Sequence, residues 1–216
     1  MRSALKIAGA TLLYAGLHSL LASRAVKQAS ARIVGERRRN AFYRPFYLVQ
    51  SFATLALLAW YVRRQPTRVL WDVRGPARWL MRSGQAAALG WAVWAASEIG
   101  FARVFGITGV LAYTRSDSHI PKEPEAQGPA ERDGTMYVDG PFRWSRHPLN
   151  FAPIPIFWLN PTMTTRLMAF TLVSTAYFFF GSLHEEHRLA QAYGDAYRHY
   201  ANSGRPFLIP RGRNVA

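Results

Sequence analysis

The sequence has 216 residues, enough for one domain, and contains no cysteine, which excludes disulfides, a thiolate nucleophile and a Cys-ligated metal. Half of its residues are hydrophobic and 14% are aromatic, yet the formal net charge is +15. The Arg residues cluster between apolar blocks instead of spreading over long polar surfaces, and no nucleic-acid reading motif is present, so the charge fits loops against anionic headgroups, not a nucleic-acid partner.

A membrane-spanning helix needs about 20 mostly apolar residues. The first block runs from about Ile7 to Ala22 and carries His18; with no small-residue cleavage site it reads as a retained span, not a signal peptide. A basic loop from Ser23 to Pro45 follows, including Arg37-Arg38-Arg39 as a headgroup-facing anchor. The second span covers Phe46–Val62, and a second basic loop covers Arg63–Arg82. The third span starts near Gln85, contains Trp91, Trp94 and Glu98, and extends to Tyr113. Tyr113 to Arg146 is a long polar loop punctuated by Pro121, Pro124, Gly128, Pro129, Gly134, Gly140 and Pro141. The last block, Phe151–Leu183, is too long for one simple span and is broken at Asn160-Pro161. It reads as a helical hairpin, with a short arm over Phe151–Leu159 and a full span over Met163–Leu183. The expectation is an all-α integral membrane protein of about five transmembrane segments, closed by an interfacial tail helix. As domains, this is one membrane unit over 1–216: three spans in 1–113, a loop in 114–146, and hairpin plus tail in 147–216. The Lys and Arg balance of the loops places the C-terminus in the cytoplasm, and hence the chain in the inner membrane.

The chemistry concentrates between Gly140 and Pro210. Arg146 and His147 sit where a loop enters a membrane helix, and Pro148 suits the first helical position. A helix start flanked by Arg and His is a natural anion site. Glu185 and Glu186 sit where the last span leaves the membrane; adjacent helix positions point about 100° apart, so one faces a pocket while the other pairs outward. Leu189, Tyr193, Tyr197 and Tyr200 then form one face of an amphipathic helix. The hairpin brings the Arg-His and Glu-Glu elements to one side of the membrane. Plainer roles exist for each: Arg146 snorkelling at a span end, the acidic pair bonding to Arg188 or Arg198, the tyrosines in an interface belt, and His18 as a polar contact between helices.

Arg146-His147-Pro148, a hairpin, Glu185-Glu186-x-x-Leu189, Tyr193-Gly194-x-x-Tyr197-x-x-Tyr200 and the terminal Pro210 together resemble the isoprenylcysteine carboxyl methyltransferase family, which groups with the phospholipid and methanethiol methyltransferases. His18-Ser19-Leu20-Leu21-Ala22-Ser23 resembles the methanethiol methyltransferases and NnrU-like membrane proteins. The resemblance implies S-adenosylmethionine as cofactor, in a pocket built by the two C-terminal helices and capped by the tail. It also implies a methyl acceptor, lipophilic or a small thiol, carboxylate or amine, that enters from the lipid. The residue types suit such a cofactor: aromatic faces for its sulfonium, a carboxylate for its amine and ribose, Arg or His for its carboxylate. Arg146, His147, Asn150, Glu185, Glu186 and Tyr197 are the expected cofactor contacts, and Arg146, His147 and Arg205 the expected catalytic group; no metal site is expected. Two positions depart from the family pattern. Asn150 stands where Arg-His-Pro-x-Tyr has Tyr, and Gly204-Arg205-Pro206-Phe207 replaces a Val-Pro-Arg tail. An amine or phenol acceptor needs a general base, for which His147 and His184 are the candidates. Three other functions compete. Membrane sterol reductases share the Tyr-Gly and Tyr-x-x-Tyr spacing and bind NADPH, but usually lack the acidic pair. A haem protein like the NnrU proteins and a related carotenoid isomerase would use His18 and His147 as axial ligands. An assembly factor would need no site.

Overall fold

The computed structural model describes residues 2–121, 128–132 and 135–211, with side chains at 130–132 and 135 left aside. Of the expected polar loop, Pro124 and Gly134 lie outside the described residues. Among the described residues the regular structure is helical apart from two two-stranded pairings. It is an all-α membrane protein. Among the described residues three helices are long and apolar enough to cross a bilayer: α1 (Arg2–Ala22), α3 (Glu36–Arg64) and α9 (Thr165–Ala201). Their large apolar side chains point outward, with Leu13 76%, Val49 70% and Phe180 65% exposed, which suits lipid as the surrounding solvent.

The chain divides into two compact units. The first comprises Met1–Gln65 and Gly100–Glu125. It holds α1, α2 (Arg24–Val34), α3, α5 (Phe101–Val104) and α6 (Ile107–Thr114). The stretch expected as a basic loop is helical. Ser23 caps α2 through its hydroxyl, and α3 begins at Glu36 and runs through Pro45. Two glycines let α6 approach α3. At Gly106 a Cβ would lie 2.7 Å from the Pro45 ring, and at Gly109 it would lie 2.7 Å from the Asn40 carbonyl oxygen. Small residues permit such backbone-to-backbone contact between apolar helices. Arg44 closes the same joint by donating from Nε to the Val104 carbonyl at 2.9 Å.

The second unit comprises Pro66–Ile99 and Ala126–Ala216. It begins with β1 (Val69–Asp72) and α4 (Gly75–Ile99); β1 and the first turns of α4 fall inside the region expected to be a loop. The expected third span is therefore distributed over α4, α5 and α6. The break falls at Gly100 and Gly106, whose φ values of 93° and 74° favour glycine. β2 (Ala130–Arg132) and β3 (Thr135–Tyr137) form a hairpin. A 3-10 turn over Gly140–Arg143 follows, then α7 (Pro148–Phe151), α8 (Pro153–Trp158), β4 (Thr162–Thr164) and α9. The short arm of the expected hairpin is α7 plus α8, about 16 Å of helix at 1.5 Å per residue and half a bilayer core. Pro153 and Pro155 interrupt its hydrogen bonding, and Gln85 of α4 donates to the Ile156 carbonyl at 2.6 Å. Trp158 donates to Thr175 of α9 at 3.0 Å. The Asn160-Pro161 turn lies where expected, and β4 pairs antiparallel with β1, so this irregular backbone is satisfied by strand bonding.

Candidate functional site

The site is assembled at the end of the hairpin opposite the β4 turn. From Thr165, about 20 residues of α9 cover a bilayer core of roughly 30 Å, which brings Glu185 and Glu186 to the far face. Arg146 and His147 arrive there on the segment between the 3-10 turn and α7. That segment is fixed on both sides. Trp144 packs against Trp91 and Trp94 of α4, with ring centroids 6.0 and 5.5 Å away. Ser145, fully buried, accepts from the His147 N–H at 3.2 Å and donates to the Leu208 carbonyl at 2.7 Å. This local turn is the kind a serine two residues upstream supports.

His147 is the hub, its side chain 2% exposed. Its Nδ1 lies 3.4 Å from Glu185 Oε2, and its Nε2 lies 3.3 Å from Glu186 Oε1. The same Glu186 oxygen is 2.9 Å from Arg146 Nε, an ion pair without hydrogen-bond alignment. Arg146 Nη1 donates to the Ala201 carbonyl at 2.7 Å, at the C-terminal end of α9, where a cation is favoured. Glu185, buried, also accepts from Asn150 Nδ2 at 2.8 Å, and the same nitrogen reaches Ser182 Oγ at 2.9 Å. Burial disfavours charge on His147, but the hydrogen bonds and charges of Glu185 and Glu186 outweigh it and raise the imidazole above its usual range. The structure thus brings Arg146, His147, Asn150, Glu185 and Glu186 into one connected cluster. The two glutamates differ as expected for adjacent positions: the Glu185 side chain is 7% exposed and that of Glu186 22%.

The tyrosine face is present too. Leu189, Tyr197 and Tyr200 are buried together with Met136, and Tyr193 packs at the margin. The helix does not run straight between them. Gly194 breaks it at φ 55°, ψ −126°, a conformation open to glycine, and re-aims the last turn. The Tyr197 and Tyr200 rings stand 5.8 Å apart. Arg205 lies over the Tyr200 ring at 5.2 Å and donates to Ser203. His184 is exposed on α9, apart from the buried hub.

Two expectations change. The helix start at Pro148 does not make an anion site: α7 has four residues, its first lacks an N–H, and the His147 N–H is taken by Ser145. His18, a possible axial ligand, has both ring nitrogens engaged, Nδ1 with Ser51 Oγ at 3.1 Å and Nε2 with the Tyr47 hydroxyl at 2.6 Å. The sequence reading missed Ser145, Ser182 and Phe207. The Phe207 ring meets His147 edge-on at 5.2 Å and Phe179 at 5.4 Å, while the Pro206 carbonyl accepts from the Arg146 N–H at 2.9 Å. A serine two positions before His-Pro and a lone aromatic in a Pro-rich tail were the available signals.

No family model matches the chain, and no solved structure matches it. Curated relatives do. A methanethiol S-methyltransferase of Mycobacterium tuberculosis is 30% identical over 193 residues, which cover 87% of this chain and 70% of that protein. Methanethiol S-methyltransferase 1 of Bradyrhizobium diazoefficiens is 30% identical over 205 residues, 94% of this chain and 65% of its own length. A Pseudomonas deceptionensis enzyme of the same name is 27% identical over 207 residues, 94% of this chain and 71% of that one. The chain therefore spans about two thirds of the length of these relatives. With 87% and 94% of its length aligned to the first two, the chain belongs to the methanethiol S-methyltransferase family.

Proposed function

We propose that this protein transfers a methyl group from S-adenosylmethionine to a small thiol at the membrane. The observation that carries the reading is the Arg146–His147–Glu185–Glu186 cluster, built around the buried His147 and Glu185, in a chain whose relatives are named methanethiol S-methyltransferases. The donor set fits the cofactor chemically. Glu185 and Glu186 suit its amine and ribose hydroxyls, Arg146 its carboxylate, and the Tyr197 and Phe207 rings its sulfonium. When bound, the cofactor supplies an electrophilic methyl group on a positively charged sulfur. Glu186 and Arg146, the more accessible members, make the first polar contacts. Glu185 and Tyr197 line the deeper wall, while Asn150 holds Glu185. Phe207 and the tail exclude water over the cluster. Arg205 sits on the acceptor side. We place the site on the cytoplasmic face of the inner membrane, on the Lys and Arg balance of the loops.

Calorimetric titration of detergent-purified protein with S-adenosylmethionine, S-adenosylhomocysteine and NADPH tests this. Both adenosyl ligands are expected to bind and NADPH is not. Binding of NADPH alone moves the protein to the reductases, and silence with all three removes the reading.

A further inference from the structure

We infer that His147 is a positioning residue, an imidazolium clip that fixes the two glutamates, and that the acceptor must therefore reach the site already ionised, as a thiolate. The clip stands on geometry alone; the thiolate requirement rests on the methyl-transfer reading.

A neutral imidazole has one N–H and one lone pair. Here each ring nitrogen faces a carboxylate oxygen, Glu185 on one side and Glu186 on the other. A neutral ring would aim its lone pair at one of them, which is tolerable only if that carboxyl carries the proton. Both carboxylates, however, receive a second donor on the same oxygen. Asn150 bonds to Glu185 Oε2, and the Arg146 guanidinium lies against Glu186 Oε1. Those contacts favour the ionised acids. The ring, 2% exposed, has no room to exchange a carboxylate for water, and Phe207 closes its edge. Of the other charged or titratable groups near it, Arg146 comes from its own segment, Tyr197 and Tyr200 from α9, and Arg205 from the tail. Counting the four groups whose direct contacts form the cluster, Arg146 and a protonated His147 against Glu185 and Glu186, the cluster is neutral, while Arg205 lies over the Tyr200 ring. With a neutral His147 it would hold an uncompensated negative charge.

An imidazole that donates from both nitrogens has no lone pair with which to take a proton, so His147 does not serve as the base. The acceptor's proton has then left to bulk water before the reaction. The thiolate sulfur's electron pair forms the new bond to the methyl carbon, and the pair of the breaking bond stays on the donor sulfur, which becomes a neutral thioether. Charge balances: one anion and one cation give two neutral thioethers.

Nitrogen-15 histidine labelling in detergent micelles tests the clip. The sequence has six histidines, and His147→Gln identifies the signal by its loss. If that variant fails to fold, Phe207→Leu identifies it by its shift. At about pH 7.5, one unit above the ordinary histidine value, both ring nitrogens are expected to be protonated. A neutral ring at that pH overturns the clip. The second measurement is the pH profile of kcat/KM with thiols of different acidity. The rising limb is expected to move with the thiol's own pKa, and to keep its position in His147→Gln. A limb that stays put across thiols and disappears in His147→Gln restores His147 as the base. If no thiol is methylated at all, the methyl-transfer reading fails, while the labelling experiment still decides the clip.

Discussion

His18 and His147 make a natural pair for comparison. Each sits near the end of an apolar stretch, and each has both ring nitrogens bonded. In the N-terminal unit the partners of His18 are two hydroxyls, Ser51 and Tyr47, which join α1 to α3. In the C-terminal unit the partners of His147 are two carboxylates. Hydroxyls donate as readily as they accept, so either tautomer of His18 is accommodated. Carboxylates only accept, so they demand a proton on each nitrogen of His147. The same side chain meets groups that both donate and accept in one unit and groups that only accept in the other.

The sharpest way to break this comparison is to remove both rings in turn. His147→Ala leaves the buried Glu185 and the partly exposed Glu186 facing one Arg, and breaking a buried ion pair costs about 3–5 kcal/mol. A large drop in thermal midpoint and loss of S-adenosylhomocysteine binding are expected; an unchanged midpoint would mean the cluster is solvated. Next in size, Glu186→Ala is expected to weaken that ligand by about 100-fold in calorimetry, the scale of one or two hydrogen bonds to a charged group. Gly194→Ala forces a side chain into a region open to glycine. It should destabilise the protein by about 1–3 kcal/mol and weaken ligand binding through the displaced tyrosines. His18→Ala removes the ring's bonds to the Tyr47 and Ser51 hydroxyls at a cost of about 1–3 kcal/mol, with ligand affinity retained. A shared loss of affinity in His18→Ala would erase the distinction. The smallest expected effect is the pH dependence of the clip. Because the folded value of His147 is raised, its contribution to stability is complete below about pH 6.5 and fades as pH rises through the raised value. Melting curves across that window should show the decline in wild type and a flatter profile in His147→Gln.

Much of this was written in the local pattern. Three of the expected spans, Ile7–Ala22, Phe46–Val62 and Met163–Leu183, fall in α1, α3 and α9, since a long apolar run has no alternative in lipid. Pro148 opens α7, the turn falls at Asn160-Pro161, and Leu189, Tyr197 and Tyr200 share a buried face. Other features depended on distant partners. The Ser23–Pro45 stretch reads as a basic loop because basic residues recur through it and no long apolar run does, yet α2 and the start of α3 form there, and α6 packs on α3 through Gly106 and Gly109. The β1–β4 pairing joins residues roughly 90 apart, and no local signal marks it. In the site, the presence of Arg146, His147, Glu185 and Glu186 was legible, but not their wiring. Only the folded hairpin shows that one imidazole touches both acids and that Asn150, at a departure from the family pattern, holds one of them.

The continuity of α9 has a mechanical side. The helix that crosses the lipid is the helix that carries Glu185 and Glu186, with no hinge between Thr165 and Gly194. A helix adjusts to bilayer thickness by tilting or sliding, and a slide of one residue displaces the acidic pair by about 1.5 Å. Arg146, tied to the Pro206 and Ala201 carbonyls, follows the tail at the helix end. Asn150 belongs to an arm too short to span, anchored to α4 at its other end. A slide of α9 against that arm therefore loads the bonds that join them, Asn150 to Glu185 and Ser182 and Trp158 to Thr175, so acyl-chain length is expected to act as a tension on the site.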